Sequence, residues 1–401
     1  LKNSPNQQLL KANTMTVAES QIDLYSDTTL SGTQGVYKEL RDTGPIVFCS
    51  NNDLYAITQY DAVRDALRSD SILINGKGVA ANDLINNTPS ETVIISDGET
   101  HARRRNILMK PLNMRAISDV RDRIQETADR CVEELVERDR FCAVKDFASV
   151  LPISIVADMV GLTEHGRENM LDWAAATFNA LGPANDRTMA ALPLAGQLLQ
   201  YTATLSADQV SPEGWAGQIL SHAEQGSISP SEAVMMIVDY VAPSLDTTIL
   251  ASAHMLWQLG KTPRAFEALR SNEQLVPGIV NETVRLSSPI RSFTRFAQSD
   301  YNSEYGRIPA GARAVILYAS ANWDERHYQN AHSFVVERNP RDHVGWGHGV
   351  HSCAGMHLAR AEMEALARAL ARYATSIEVD APIPIVNNVL QGFESFNASL
   401  N

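Results

Sequence analysis

Cysteine is scarce in this chain. Four cysteines occur among 401 residues, at Cys49, Cys131, Cys142 and Cys353, and no two of them have the CxxC spacing. A disulfide framework needs many paired cysteines, and a structural zinc site usually needs closely spaced ones. The sequence therefore argues against both and favours a reducing compartment.

Positive charge and long apolar runs are also in short supply. Lys and Arg number 34 against 47 Asp and Glu, so the net charge is −13, which disfavours nucleic-acid binding. Residues 1–15 have no continuous apolar core, so no signal peptide or anchor is expected. The most apolar internal stretch, 233–245, is interrupted by Asp239 and Pro243 and is too short to cross a bilayer. We expect a cytoplasmic, monomeric enzyme or binding protein with no nucleic-acid or membrane partner.

Helical periodicity is what the sequence does contain, with short strand-like islands and neither repeats nor low-complexity linkers. The predicted elements are helices at 36–44, 61–70, most of 100–286 and 354–374, a hairpin at 46–50 and 54–60, a strand near 312–319, and a long polar loop at 75–95. The pattern indicates a mainly α fold with a small β region. Nothing marks a domain boundary, so we expect a single domain over 1–401, with 1–20 as a candidate flexible segment.

One cysteine stands out by its surroundings. Four glycines flank Cys353 in GWGHGVHSCAG, residues 345–355, immediately before a predicted helix. The positive end of a helix dipole and free backbone N–H groups favour a thiolate. Glycines also let a flat, bulky group approach the backbone closely. Taken alone, a glycine loop with an incidental cysteine would be the simpler interpretation.

The surroundings of the cysteine favour a specific family. The loop resembles the haem-binding loop of cytochrome P450, with a tryptophan where phenylalanine is usual, and the resemblance extends over essentially the whole chain. The matching residues are Trp346, Gly347, Gly349, His351, Cys353 and Gly355. The resemblance implies the cytochrome P450 fold, haem b as cofactor, dioxygen as co-substrate and the Cys353 thiolate as ligand of the haem iron.

Cations at two places carry the resemblance further. His101 and Arg105 lie four residues apart, on one helical face, and Arg295 follows Arg285 by ten residues. In the family these positions, together with His351, hold the two haem propionates, for which arginine is well suited. Gly98 departs from the prolines usual before this helix.

A second set of charged residues resembles a structural network of the family. Glu282 and Arg285 lie three residues apart on one helix, where an ion pair is favourable. Arg338 completes the Glu-Arg-Arg network that the family places behind the haem. We interpret this trio as serving folding rather than chemistry.

The stretch VAPSLDTT, 241–248, resembles the oxygen-activation helix of the family. The resemblance makes Asp246 and Thr247 the acid–alcohol pair that delivers protons during dioxygen reduction, a task suited to a carboxylate and a hydroxyl. An adjacent Asp-Thr pair would otherwise suggest a helix cap, but here it falls within the helix pattern. Pro243 and Ser244 replace the usual Ala-Gly pair, and because proline lacks an N–H, the helix should kink here.

The substrate pocket is predicted from a nearer resemblance, to bacterial enzymes that oxidise para-substituted benzoates. Phe178 and Phe293 fall where that subgroup clamps an aromatic ring. Lys77 stands in place of an arginine, whereas Asp239 and Ala242 replace two carboxylate-binding serines. Asp239 lies seven residues before Asp246, which predicts a shared helix face. A carboxylate there would repel a benzoate unless Lys77 neutralised it, which shifts the expectation toward neutral phenols or aromatic ethers.

The expected reaction is insertion of one oxygen atom into a small aromatic substrate, by hydroxylation or O-demethylation. The chain has neither a dinucleotide fingerprint nor a cysteine cluster, so electrons should come from a ferredoxin and an NAD(P)H-dependent reductase. A peroxygenase or isomerase, and a monooxygenase of a non-aromatic substrate such as a terpenoid, are the alternatives. Basic residues near the cysteine loop are candidates for docking an acidic ferredoxin: Arg103, Arg104, Lys110 and Arg360.

Overall fold

The structure, a computed structural model, describes residues 17–401, and helices dominate it. The sixteen α-helices within these residues are α1 (Asp27–Ser31), α2 (Thr33–Thr43), α3 (Tyr60–Arg68), α4 (Asp83–Asn86), α5 (Gly98–Leu108), α6 (Met114–Val136), α7 (Ala157–Val160), α8 (Glu164–Ala180), α9 (Asp186–Thr204), α10 (Trp215–Glu224), α11 (Pro230–Val241), α12 (Asp246–Lys261), α13 (Pro263–Ser271), α14 (Val276–Ser287), α15 (Tyr318–Asn322) and α16 (Met356–Tyr373). The predicted mainly α class is confirmed.

The strands are short, and most of them come either before α3 or after α14 in the sequence. They are β1 (Ala18–Ser20), β2 (Ile46–Cys49), β3 (Leu54–Ile57), β4 (Leu73–Ile74), β5 (Phe141–Cys142), β6 (Phe293–Ala297), β7 (Tyr301–Ser303), β8 (Gly306–Ile308), β9 (Arg313–Ile316), β10 (Ile377–Val379), β11 (Ile383–Pro384), β12 (Phe393–Ser395) and β13 (Asn397–Leu400). The candidate flexible segment 1–20 lies largely outside the described residues, and its last three residues form β1.

A six-stranded sheet has the order β1-β2-β3-β9-β6-β4. The predicted hairpin is its antiparallel β2–β3 pair, with Ile46 opposite Ile57. Strand β9, expected from the run near 312–319, is parallel to β3 and antiparallel to β6. The sheet thus places Phe293 and Arg295 of β6 one strand away from the hairpin, with β9 between them, although more than 200 residues separate β6 from the hairpin in the chain.

The main core lies among the long helices. α16 packs along α6, and α12 and α14 contact α16. The large apolar residues of α16 recur every three to five positions, and Leu358, Met363, Leu366 and Leu370 are all buried. This periodicity is that of an amphipathic helix with one face in the core. The core thereby fixes the start of α16, directly after Cys353.

The predicted Glu-Arg-Arg network is present in the structure. The carboxylate of Glu282 accepts hydrogen bonds from Arg285 at 2.8 Å and from Nε of Arg338 at 3.0 Å. Arg285 also donates to the carbonyls of Asn322 and Ala331, each at 2.7 Å. Because the side chains of Glu282 and Arg285 are fully buried, the network ties α14 to the segment that leads to the cysteine loop.

One stretch within the described residues is long and apolar enough to cross a membrane by composition, and it runs from Pro230 to Lys261. Of its most apolar window, 67% is buried inside the protein. It comprises α11 and α12, which belong to the core.

Candidate active site

The cysteine loop is shaped by two glycines in a left-handed conformation. Gly347 has φ +70° and Gly349 has φ +74°, a region that residues with a side chain rarely adopt. A Cβ at Gly349 would also lie 2.6 Å from the carbonyl oxygen of Leu67. The backbone N–H of Cys353 donates to the carbonyl of Trp346 at 2.7 Å, which closes the loop.

The side chain of Cys353 is accessible although it lies deep among protein atoms. Burial raises the pKa of the Cys353 thiol, while the backbone N–H groups of Gly355 and Met356 and the charge of Arg105 act in the opposite direction. The helix terminus therefore lowers the pKa of the thiol as expected, but in the polypeptide alone burial raises this pKa by more. A coordinated metal ion would itself deprotonate a thiol.

Four cationic or imidazole side chains gather beside this loop. The rings of His101 and His351 lie 4.1 Å apart between centroids. Arg105 donates to the carbonyl of Ser352 at 2.6 Å, and Arg295 to its own neighbour's carbonyl at 2.7 Å. Burial, followed by nearby positive charge that includes Arg295, lowers the pKa of His351 to about 3. The four residues predicted to bind propionates are thus brought together from three parts of the chain.

This cluster contains unsatisfied donors or acceptors. Within the described residues, Nε2 of His101 and Nε2 of His351 are buried without a hydrogen-bond partner. Buried polar groups are normally hydrogen-bonded, so two orphaned imidazole nitrogens beside two arginines point to an anionic ligand. Carboxylates would satisfy both the hydrogen bonds and the charge.

The core helix pair is broken directly before the acid–alcohol pair. α11 ends at Val241 and α12 begins at Asp246, so the predicted distortion at Pro243 is a full interruption. Two expectations are wrong in consequence. Asp246 is the first residue of a helix rather than an internal one, and Asp239 does not share a continuous helix face with it.

The side chains of the pair have separate surroundings. Among residues 17–401, Oδ2 of Asp246 has no hydrogen-bond partner although it is buried, and the residue is only 8% exposed. Burial and, secondarily, the carboxylate of Asp172 on α8 raise the pKa of Asp246 to about 7. Thr247 is partly exposed and donates its hydroxyl to the carbonyl of Pro243 at 3.1 Å. A group with a pKa near neutrality can both give and take a proton.

An apolar cluster lies one helical turn beyond the pair. Phe178, Leu250, Val389 and Leu390 are buried together, and Phe293 packs against them. The structure therefore unites the two predicted ring-clamping phenylalanines, which come from α8 and β6. Ala242 is buried at the end of α11 and belongs to the main core instead.

Comparison with known proteins relates this chain to one family. Residues 216–396 match the family model of cytochrome P450. Cytochrome p450 CYP199A2 of Rhodopseudomonas palustris is 30% identical over 367 residues, which cover 90% of this chain and 89% of the relative. The chain belongs to the cytochrome P450 family.

Other P450 proteins agree in fold over nearly the whole chain. A steroid C26-monooxygenase of Mycolicibacterium smegmatis is 26% identical, with 91% of this chain and 92% of the relative covered. The crystal structure of CYP109E1 from Bacillus megaterium in complex with testosterone superposes with a TM-score of 0.83 at 19% identity, over 94% of this chain and 100% of that one. This P450 is accordingly a monooxygenase that uses haem b and dioxygen.

One departure from the P450 pattern has a conformational reason. Gly98, at the position where the family usually has proline, has φ +56° and begins α5. Proline is restricted to φ near −65°, so it could not adopt this backbone. Glycine therefore gives the chain a different entry into the helix that carries His101 and Arg105.

Lys77 and Asp239 are not brought together. Lys77 is exposed, and among the described residues it forms no ion pair. The carboxylate of Asp239 instead accepts a hydrogen bond from the backbone N–H of Val93 at 2.6 Å, and the cation that acts on it is Arg104. Neutralisation by Lys77, the condition under which Asp239 would tolerate a benzoate, is therefore not met in this structure.

The prediction that basic residues near the cysteine loop dock a ferredoxin also needs correction. Arg104 is 7% exposed and pairs with Glu232 at 3.0 Å and Glu91 at 3.5 Å, so it cannot contact a partner protein. Arg103 shares Glu232, and Arg360 donates to Asn281 at 2.9 Å. Local sequence could not reveal this, because Glu232 lies more than 120 residues away.

Sequence reasoning missed three contributors to the site. Val93 offers its backbone N–H to Asp239, and Asp172 lies near enough to act on Asp246. Leu250 follows Asp246 by four residues, a spacing that could have placed it on the same face of α12. The first two depend on contacts between distant elements, for which the sequence contains no signal.

Proposed function

We propose that this P450 inserts one oxygen atom from dioxygen into a small aromatic compound, by hydroxylation or O-demethylation. The observation that carries the proposal is the apolar cluster containing Phe178 and Phe293, one helical turn from Asp246. When bound, haem supplies the activation of dioxygen. Cys353 would hold its iron, and His101, Arg105, Arg295 and His351 would hold its propionates.

The role of Asp246 and Thr247 in this proposal is to hold and move protons. The hydroxyl of Thr247 can accept a proton at Oγ1 while it donates its own, and its present acceptor is only a backbone carbonyl. Oδ2 of Asp246 has no partner among the residues that the structure describes, and burial raises the pKa of this carboxyl to about 7. A proton held there at neutral pH is available for transfer toward the pocket.

The surroundings of the apolar cluster favour a neutral substrate over a benzoate. The cluster's members are all uncharged, and Lys77 is exposed to solvent. An unpaired carboxylate is costly to bury, whereas a phenol or an aryl ether needs at most a hydrogen bond. Two phenylalanines would also give a benzenoid ring favourable aromatic contacts.

An acidic ferredoxin and its NAD(P)H-dependent reductase are the proposed electron source. Arg64 and Arg68 of α3 lie against His348 in the cysteine loop, with Arg68 Nε 3.1 Å from the imidazole. Val350, in the same loop, is 45% exposed. A positive surface around an exposed apolar residue suits an acidic partner.

Reconstitution with a substrate panel tests the proposed reaction. Haem-loaded protein, a surrogate ferredoxin, its reductase and NADH should give NADH oxidation coupled to product with para-substituted phenols or their ethers. The same phenols should produce a larger ferric spin-state shift than the matching benzoates. Turnover only with hydrogen peroxide would favour a peroxygenase. A ferric spin-state shift with terpenoids alone would indicate a non-aromatic substrate.

Removal of the Thr247 hydroxyl should uncouple the reaction. We expect Thr247→Ala to lower product per NADH on the order of tenfold, because the group that delivers the proton is lost and oxygen is diverted to peroxide. The substrate-induced spin shift should persist, and Thr247→Ser should restore much of the coupling. Full product per NADH in Thr247→Ala would exclude the hydroxyl from proton delivery.

A further inference from the structure

A hydrogen bond from the backbone of Val93 to Asp239 joins the segment 91–96, which precedes α5, to α11. Val93 is 4% exposed and packs in the main core. Its backbone N–H donates to Oδ2 of Asp239 at 2.6 Å, across 146 residues of chain. A backbone donor at a buried position must be paired, and in this structure Asp239 provides the acceptor.

Other contacts hold the same segment from two further sides. The side-chain amide of Asn75 donates to the carbonyl of Ile94 at 3.0 Å. Arg104 of α5 pairs with Glu91, while its Nε is 3.0 Å from Glu232 of α11. α11 therefore anchors the segment directly through Asp239 and indirectly through Glu232 and Arg104.

The stretch just before this segment contacts the elements that carry the two phenylalanines. The N–H of Ala81 donates to the carbonyl of Leu181 at 2.8 Å, and the side chain of Asn82 donates to the carbonyl of Ala180 at 2.8 Å. The N–H of Thr294, next to Phe293, donates to the carbonyl of Val79 at 3.3 Å. Residues 78–96 thus connect the aromatic cluster to α11 and α5.

We infer that Asp239 is a positioning residue, which fixes the segment 91–96 and through it the wall of the substrate pocket. This inference rests on the proposed function for the identity of the pocket. It replaces the expectation that Asp239 meets the polar end of the substrate. The contact requires only an oxygen that accepts a hydrogen bond, which the carboxylate, the neutral acid and an amide all provide.

Two variants separate the two roles of Asp239. Asp239→Asn keeps an acceptor oxygen and removes the charge, whereas Asp239→Ala removes both. Amide hydrogen exchange on the haem-loaded protein should show faster exchange at Val93 in Asp239→Ala, on the order of tenfold or more, because a hydrogen bond to a buried partner is lost. Asp239→Asn should leave the Val93 amide protected.

Substrate titrations on the same variants complete the test. In Asp239→Ala the spin-shift dissociation constants for a phenol and its matching benzoate should both increase, and in Asp239→Asn their ratio should match wild type. Unchanged exchange at Val93 in Asp239→Ala would overturn the inference. So would a shift of the Asp239→Asn ratio toward benzoate, which is the result expected if the charge meets the substrate.

The outcome is distinguishable from failure of the proposed function. Hydrogen exchange at Val93 is measured without substrate, so it tests the anchor even if no aromatic compound binds. The CO spectrum of the reduced protein confirms that each variant has loaded haem. Where Asp239→Ala does not load it, Asp239→Ser takes its place, because the serine side chain is shorter and its hydroxyl would not reach the Val93 N–H.

Discussion

Replacing Cys353 with serine should abolish product formation and remove the long-wavelength Soret band that the reduced CO adduct of a thiolate-ligated haem shows. The side chain of Cys353 is accessible, and Arg105, one of the gathered residues, donates to the carbonyl of the preceding Ser352. A serine hydroxyl is a much poorer iron ligand than a thiolate, so the electronic effect of the sulfur would be lost. The measurement is the reduced CO difference spectrum together with product per haem.

Cys142→Ser is the matched control for this change. Cys142 lies in β5, is half-buried and is paired through its backbone with β13. We expect the control to keep the wild-type spectrum and product yield. Full turnover by Cys353→Ser, or a Soret band typical of histidine ligation in fresh, active wild-type protein, would refute the assignment of Cys353.

The second large effect is expected at Glu282. Glu282→Ala would leave the guanidinium of Arg285 fully buried with its carboxylate partner missing. Removal of one partner from a buried ion pair costs about 3–5 kcal/mol, since the remaining charge is desolvated and uncompensated. We therefore expect a reduction of that size in the free energy of unfolding, measured by chemical denaturation of the haem-loaded protein.

Glu337→Ala provides the comparison for Glu282. Glu337 precedes Arg338 in sequence but is exposed, and among the described residues it forms no ion pair. Exposed substitutions usually change stability by at most about 0.5 kcal/mol. A loss of similar size in both variants would mean that the buried network contributes no more than a surface carboxylate.

The conformation of the cysteine loop and the burial of Arg104 have different physical causes. The loop requires glycine at positive φ beside a thiol and a helix start, and these requirements occupy eleven consecutive residues, 345–355. The environment of Arg104 depends on Glu232 and Glu91, which approach it only after α5 and α11 have packed together. Its neighbours in sequence indicate a basic surface, whereas its neighbours in space bury it.

The sequence predicted the proposed substrate pocket only in part. Phe178 and Phe293 were predicted as a pair by resemblance, and the structure packs them in one cluster with Leu250. Asp239 and Lys77 were both assigned to the polar end of the pocket because they match polar positions of the subgroup, but the carboxylate of Asp239 binds a backbone N–H and Lys77 is exposed. Every residue except proline has the same backbone N–H, so a sequence motif cannot indicate which buried N–H groups need a side-chain acceptor.

The sequence by itself determined the mainly α class, the family, the candidate haem ligand and a distortion of the helix at Pro243, since local spacing and backbone chemistry control each of these. The full interruption at 242–245 is seen only in the structure. Tertiary structure alone decided which charges are buried, which carboxylates meet which donors and how the imidazoles of His101 and His351 come to lie 4.1 Å apart. Desolvation and pairing depend on distances between elements that are remote in the chain. Those distances are set by packing of the whole core.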